Sequence, residues 1–141
     1  MPLELGPPRN RPLPILDAHE AAAWDELSIQ KHHIDSRLLM GWAGYAMFAA
    51  LLRRGLSHAA EVHLLAGPGN NGGDGYVIAW HILSATTLPV FIWQTGLPKS
   101  DDAEYYHGLC QAYQQEDEKA QLRQFAPSVS LTRANFPIDR G

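Results

Sequence analysis

Gly67-Pro68-Gly69-Asn70-Asn71-Gly72-Gly73-Asp74-Gly75 follows the run Glu61-Val62-His63-Leu64-Leu65-Ala66 and precedes Tyr76-Val77-Ile78-Ala79-Trp80-His81-Ile82-Leu83. The apolar run reads as a strand and residues 67–73 as a glycine-rich loop; a helix is expected to resume at Asp74. Asp74 suits the N-cap of that helix. Gly67, Gly69 and Gly72 spell G-x-G-x-x-G between a strand and a helix, where that motif has physical meaning. Residues without side chains let backbone N–H groups approach a phosphate, and a helix N-terminus adds positive potential. Five glycines in nine residues cost chain entropy, which argues against a plain turn.

Downstream, Leu88-Pro89-Val90-Phe91-Ile92-Trp93 reads as a second strand. Ser100 can cap a helix running through Tyr106, Leu109 and Tyr113, followed by a polar, exposed segment over residues 114–124. Ser128-Val129-Ser130-Leu131 is expected to begin a third strand. Strand, helix, strand, helix, strand is the order of a parallel α/β sheet. The residues after Leu131 read as a loop, so the chain is expected to be part of a larger domain, incomplete at its C-terminus.

Upstream, Asp17-Ala18-His19-Glu20 has the spacing of a capping box. Ala21, Trp24, Leu27 and Ile29 then form a helical stripe to about His32. Asp35 or Ser36 can cap a second helix over residues 37–54, ended by Gly55. It is apolar nearly all round, so it is expected to be covered on several sides, by its own domain or by a second subunit. Residues 1–16 form a proline-rich lead, and residues 17–141 the domain.

The 141 residues are 45% hydrophobic and carry a net charge of −4, which fits one globular domain and disfavours a basic nucleic-acid binder. Arg53-Arg54, the one tight basic pair, reads as a helix C-terminal cap. A single cysteine, Cys110, excludes an internal disulfide and reads as a small buried apolar residue. The N-terminus lacks the pattern of a signal peptide, and the uncharged stretch over residues 38–52 is shorter than the roughly 20 residues that span a bilayer. The expected address is the cytoplasm, without membrane attachment. His32-His33 is a poor metal pair, because neighbouring helical residues point about 100° apart. Trp24, Trp42, Trp80 and Trp93 read as core or interface residues rather than a stacking platform.

Neither common phosphate motif is complete. The second strand ends without the acidic residue that would hold a ribose, and Gly-Lys-Ser/Thr is absent. What remains is two amides, two glycines and a carboxylate in succession. The neutral oxygens of Asn70 and Asn71 beside charged Asp74 suit hard cations, and amide N–H groups suit ribose or phosphate oxygens.

Residues 67–82 resemble the signature of the YjeF N-terminal domain family, the NAD(P)HX epimerases. Glu20 before a long helix, Ile34-Asp35-Ser36, Leu38-Leu39-Met40 and Ala43-Gly44 are similar to that family's N-terminal region, so the likeness covers about residues 15–139. The resemblance implies a Rossmann-like three-layer α/β/α fold, with a mostly parallel sheet and two N-terminal helices. It implies epimerisation of the R and S forms of hydrated NADH or NADPH, in repair of damaged nicotinamide nucleotides. Asn70, Asn71, Gly72, Gly73 and Asp74 would contact the hydrated nucleotide, and Asn71 would also ligate a potassium ion. A homodimer and a functional link to an ADP- or ATP-dependent dehydratase are implied as well.

The chain departs from the family pattern in two places. Gly41-Trp42 stands where polar residues such as Glu-Asn are frequent. The later Asp-Ala-hydrophobic-Gly and Asp-x-Pro-Ser-Gly patterns, which supply further potassium ligands and an acidic residue suited to proton transfer, do not occur. No catalytic acid or base is therefore assigned, and these 141 residues alone are expected to be inactive. The alternative is a non-catalytic nucleotide- or partner-binding module on the same scaffold.

Overall fold

The capping box at Asp17 forms as the spacing predicts. Asp17 accepts the Glu20 N–H at 2.8 Å, and the Glu20 carboxylate accepts the Asp17 N–H at 2.9 Å. These bonds open helix α1, Ala18–His32, which His33 closes in the left-handed conformation at φ 54°. The computed structural model describes residues 15–117 and 120–124. They fall into two compact units divided between Ile34 and Asp35. In the first unit, α1 buries none of its residues, and the expected stripe of Ala21, Trp24, Leu27 and Ile29 is exposed.

The second unit begins with α2, Ser36–Arg53, where the Asp35 carboxylate accepts the Arg37 N–H at 2.8 Å. Arg53 is the last helical residue and Arg54 the C-cap; Gly55, at φ 99°, then turns the chain as only glycine does cheaply. After a 3₁₀ turn, Leu56–His58, come β1 Val62–Ala66, α3 Asn70–Ala85, β2 Val90–Gln94, α4 Asp101–Asp117 and β3 Ala120–Gln124. The strands are parallel in the order β1-β2-β3, with Val62 opposite Val90 and Val90 opposite Ala120. Two like-handed crossovers put α3 and α4 on one face, where they pack on each other and on the strands. The result is a Rossmann-like α/β arrangement. In this unit the described helices lie on one face of the sheet, and the expected second helical layer does not occur among the described residues.

The bounds of several elements differ from expectation. Helix α3 begins at Asn70, four residues before Asp74, so Asp74 is not its N-cap. The second strand runs Val90–Gln94 rather than over residues 88–93. The segment over residues 114–124 is not simply polar and exposed: α4 continues to Asp117 and β3 follows at Ala120–Gln124. The strand expected at residues 128–131 lies outside the described residues.

Helix α3 is the centre of the core. It buries Tyr76, Val77, Ile78, Ala79, Ile82 and Leu83 against β1 and β2 below and against α2 and α4 beside it. Val90, Ile92 and Ala120 close the core from the sheet. Helix α2 is not covered on several sides within this unit. It buries only Met40, Gly44 and Phe48 at helical spacing and leaves Trp42, Tyr45 and Met47 more than half exposed. Trp24 and Trp42 are thus surface residues rather than core. In the first turns of α4, Ser36 donates to Asp102, Arg37 pairs with Asp102 at 3.3 Å, and the Tyr106 hydroxyl donates to the Arg37 carbonyl.

Gly44 is where α2 touches α3. A Cβ there would lie 2.4 Å from both Cβ and Cγ1 of Val77. Overpacking of this kind costs typically about 1–3 kcal/mol, while helix propensity returns roughly 1 kcal/mol. Gly44→Ala is therefore predicted to lower stability in urea unfolding. His81 sits against Tyr45, Phe48 and Trp80, and His107 against Tyr76. Burial lowers both pKa values below 6.5, with Glu104 opposing the shift at His107. The folded state then binds fewer protons than the unfolded one, so stability is full above the unfolded value and lost as pH falls below it. Urea midpoints measured from pH 7 down to about pH 5.5 should fall, and less steeply in His107→Gln.

Candidate functional site

Ala66 ends β1 fully buried, and the chain must reverse there to lay α3 back over the sheet. The reversal is tight. The Gly73 N–H donates to the Gly69 carbonyl at 3.2 Å, the first helical bond of α3, with Gly69 as N-cap. No side-chain cap forms, so the first amides of the helix, at Asn70, Asn71 and Gly72, are not capped by a side chain. The β2–α4 loop braces the reversal from the side. Thr95 N–H donates to the Ala66 carbonyl at 3.0 Å, and Lys99 N–H donates to the Pro68 carbonyl at 3.1 Å.

The glycines divide by what surrounds them. A Cβ on Gly72 would fall 1.8 Å from the Gly67 carbonyl oxygen, and one on Gly73 would meet the Met40 side chain at 2.6 Å. Their lack of a side chain is required by the packing of α3, as expected of a third glycine in this motif. A Cβ on Gly69 would meet nothing within 4 Å. Gly69 is the open position.

A cleft of about 360 Å³ lies on this reversal, lined by Leu65, Gly67, Gly69, Asn70, Asn71 and Gly72. The structure thus gathers Asn70, Asn71 and Gly72 at one cleft, with both asparagines exposed. It does not bring Gly73 or Asp74 to that lining: Gly73 is buried beneath Met40, and Asp74 lies half-buried one turn into α3. Since Gly69 takes the N-cap, the carboxylate of Asp74 does not cap the helix. Gly67 and Gly69, which the sequence offers as glycines of the G-x-G-x-x-G motif without naming them as substrate contacts, line the cleft, and Leu65 is a lining residue that the sequence reading did not single out. None of the described lining residues is titratable.

Beneath the cleft, Gln94 at the end of β2 is 4% exposed and donates to the Tyr76 hydroxyl at 2.9 Å. Burial raises the Tyr76 pKa, and the bond from Gln94 opposes that. Cys110 is fully buried, and its thiol is pushed up to about 12 by that burial, which makes it inert packing. His63 is committed as well. The Trp93 indole N–H can only donate, and it does so to Nδ1 at 3.0 Å; Nε2 therefore carries the proton and donates to Glu61 at 2.8 Å. Among the described residues no three His, Cys, Asp or Glu side chains group as a metal site, and no helix is long and apolar enough to cross a membrane.

Strand, uncapped helix and glycine reversal together define a Rossmann-like α/β chain with its cleft at the carboxyl ends of the strands. The chain belongs to the family described as YjeF-related protein N-terminus, which it matches over residues 36–136. It is similar to the NAD(P)H-hydrate epimerase of Yarrowia lipolytica, 35% identical over 97 residues covering 67% of this chain and 38% of that protein. The NAD(P)H-hydrate epimerase of Phaeosphaeria nodorum is 32% identical over 129 residues, covering 91% and 51%. The bifunctional NAD(P)H-hydrate repair enzyme Nnr of Salinibacter ruber is 29% identical over 130 residues, covering 89% and 24%. Among solved structures, yeast ynu0 (YNL200c) superposes with a TM-score of 0.63 at 25% identity, over 79% of this chain and 47% of that one. The chain spans about a third to a half of the length of the epimerases it matches.

The division among the glycines makes a stability prediction. Gly72→Ala forces a carbon onto a backbone oxygen and should lose about 3 kcal/mol or more. Gly69→Ala meets no atom and should lose at most about 1 kcal/mol, the cost of a poorer N-cap. Thermal unfolding of the two variants checks this.

Proposed function

We propose that this chain supplies the nucleotide-binding half of an NAD(P)H-hydrate epimerase, an isomerase acting on the hydrated forms of NADH and NADPH. The observation that carries the reading is the cleft at residues 67–72, where open Gly69 and the uncapped amides of α3 offer donors to a phosphate. The names of the relatives support the substrate class. Asn70 and Asn71 would contact the nucleotide by side chain and Gly72 by backbone, while Gly73 and Asp74 would act by seating the helix.

Potassium would be held through Asn71. Its amide oxygen and the loop carbonyls are neutral donors, a set that suits a monovalent ion better than a divalent one. The repair enzyme of Salinibacter ruber is named as bifunctional, which supports a functional link to a dehydratase. A second copy of the chain would find an apolar surface on α2 at Trp42, Tyr45 and Met47.

A second reading, a binding module without catalysis, is favoured by the absence of a titratable side chain among the described lining residues. A coupled assay separates the two. The R epimer is supplied with an S-specific dehydratase, and turnover by the 141-residue chain excludes the module. Without turnover, which a nucleotide-binding half also gives, tighter binding of the hydrated epimers than of intact NADH favours the epimerase and equal binding favours the module.

The shared premise, a nucleotide on this loop, is tested by calorimetric titration with ADP-ribose. Gly69→Val should weaken binding at least tenfold, about 1.4 kcal/mol, with the fold retained. Equal affinity in both proteins overturns the assignment of the loop. Asn71→Ala should likewise remove the rise in melting temperature that potassium gives and leave any sodium effect unchanged.

A further inference from the structure

The cleft has one side that a phosphate does not explain. Among its lining residues, five belong to the glycine reversal and are backbone or amide in character; the sixth is Leu65. Leu65, the next-to-last residue of β1, is 52% exposed, although Leu64 and Ala66 beside it are partly or fully buried. Alternation along β1 puts Leu65 on the sheet face opposite α3 and α4, together with His63. Its partner in register is Trp93 of β2, and Trp93 is in turn opposite Arg123 of β3.

This wall is held in place. The Trp93 indole is fixed by its bond to His63, the His63 ring stacks on Phe91 with centroids 4.8 Å apart, and the Arg123 guanidinium lies 5.6 Å from the Trp93 ring. Leu65, opposite Trp93 in register, thus stands as an exposed apolar side chain lining the same cleft as the amides of the reversal. That combination suits a ligand with a charged part and a flat apolar part joined by a short link, which is the chemistry of a nucleotide.

We propose that Leu65 is the ring-contacting wall of the cleft: a flat heterocycle of the nucleotide, adenine or nicotinamide, packs on it while the phosphates lie on the amides of residues 69–72. The proposal rests on the phosphate reading of the loop and adds to it the face of the sheet on which the ring lies. It makes Leu65 a positioning residue that acts by apolar burial. Gly67 and Gly69 at its side leave the path from loop to wall open.

The experiment compares three ligands, inorganic pyrophosphate, ADP-ribose and nicotinamide mononucleotide, by calorimetric titration into the unmutated 141-residue chain and Leu65→Ser. Thermal unfolding verifies that both proteins are folded. Burying about half of a leucine side chain corresponds to roughly tenfold in affinity. The expected result is a tenfold loss for one of the two ring-bearing ligands with pyrophosphate unchanged. Loss for ADP-ribose identifies the ring as adenine, and loss for the mononucleotide alone identifies it as nicotinamide. Leu65→Phe should retain the affinity that serine loses. Unchanged affinity for both ring-bearing ligands, with pyrophosphate still bound, overturns the wall and leaves the loop assignment standing. An equal loss for all three also overturns it, because Leu65 would then act through the shape of the loop. No pyrophosphate binding to the unmutated chain would overturn the loop reading itself, and the wall with it.

Discussion

The reversal after β1 brings the Gly67 carbonyl so close to Gly72 that a hydrogen atom is all residue 72 can carry. The other contacts of the second unit follow from that approach. It sets the angle at which α3 leaves the sheet, and α3 then presents its apolar surface to the sheet, to α2 and to α4 together. Met40 can reach Gly73 and Gly44 can reach Val77 only because the first turns of α3 lie where the Gly67–Gly72 approach puts them. A close-packed interior allows little adjustment at three such contacts in succession.

The same constraint makes the cleft. A helix that starts at Asn70 with glycine as its N-cap leaves its first amides without a side-chain partner, and these amides lie at the carboxyl ends of parallel strands. Open α/β sheets place their ligands in that position. Openness and packing are divided among adjacent glycines: Gly69 faces open space, and Gly72 and Gly73 face protein. The motif is one sequence feature with two physical duties.

Much of this fold was legible in the sequence because its signals are local. Asp17 with Glu20, Asp35 before a helix, Gly55 after one and Ser100 before another are capping residues, and each capping interaction or turn formed. The start of α3 was not legible. Asn, Asn, Gly and Gly are weak helix formers, so periodicity begins only at Asp74; the close approach of Gly67 in the preceding loop and of Met40 in α2 fixes those four residues in the helix. Strand β3 was hidden for a different reason. In Ala120-Gln121-Leu122-Arg123-Gln124 the outward positions are polar, and the inward ones are too few to mark a strand by hydrophobicity. The site was legible as letters, since G-x-G-x-x-G lies between strand and helix. Which glycines meet a ligand depends on distances between segments, and composition does not contain those.

Because α3 touches both α-helical neighbours and two strands, none of them can come away without exposing its buried face. Subglobal opening, in which one element unfolds while the remainder holds, therefore has no low-energy route through this helix. Amide protons in the middle of α3 exchange with solvent only when the whole unit unfolds, so their exchange rate measures the global unfolding free energy of this part of the chain.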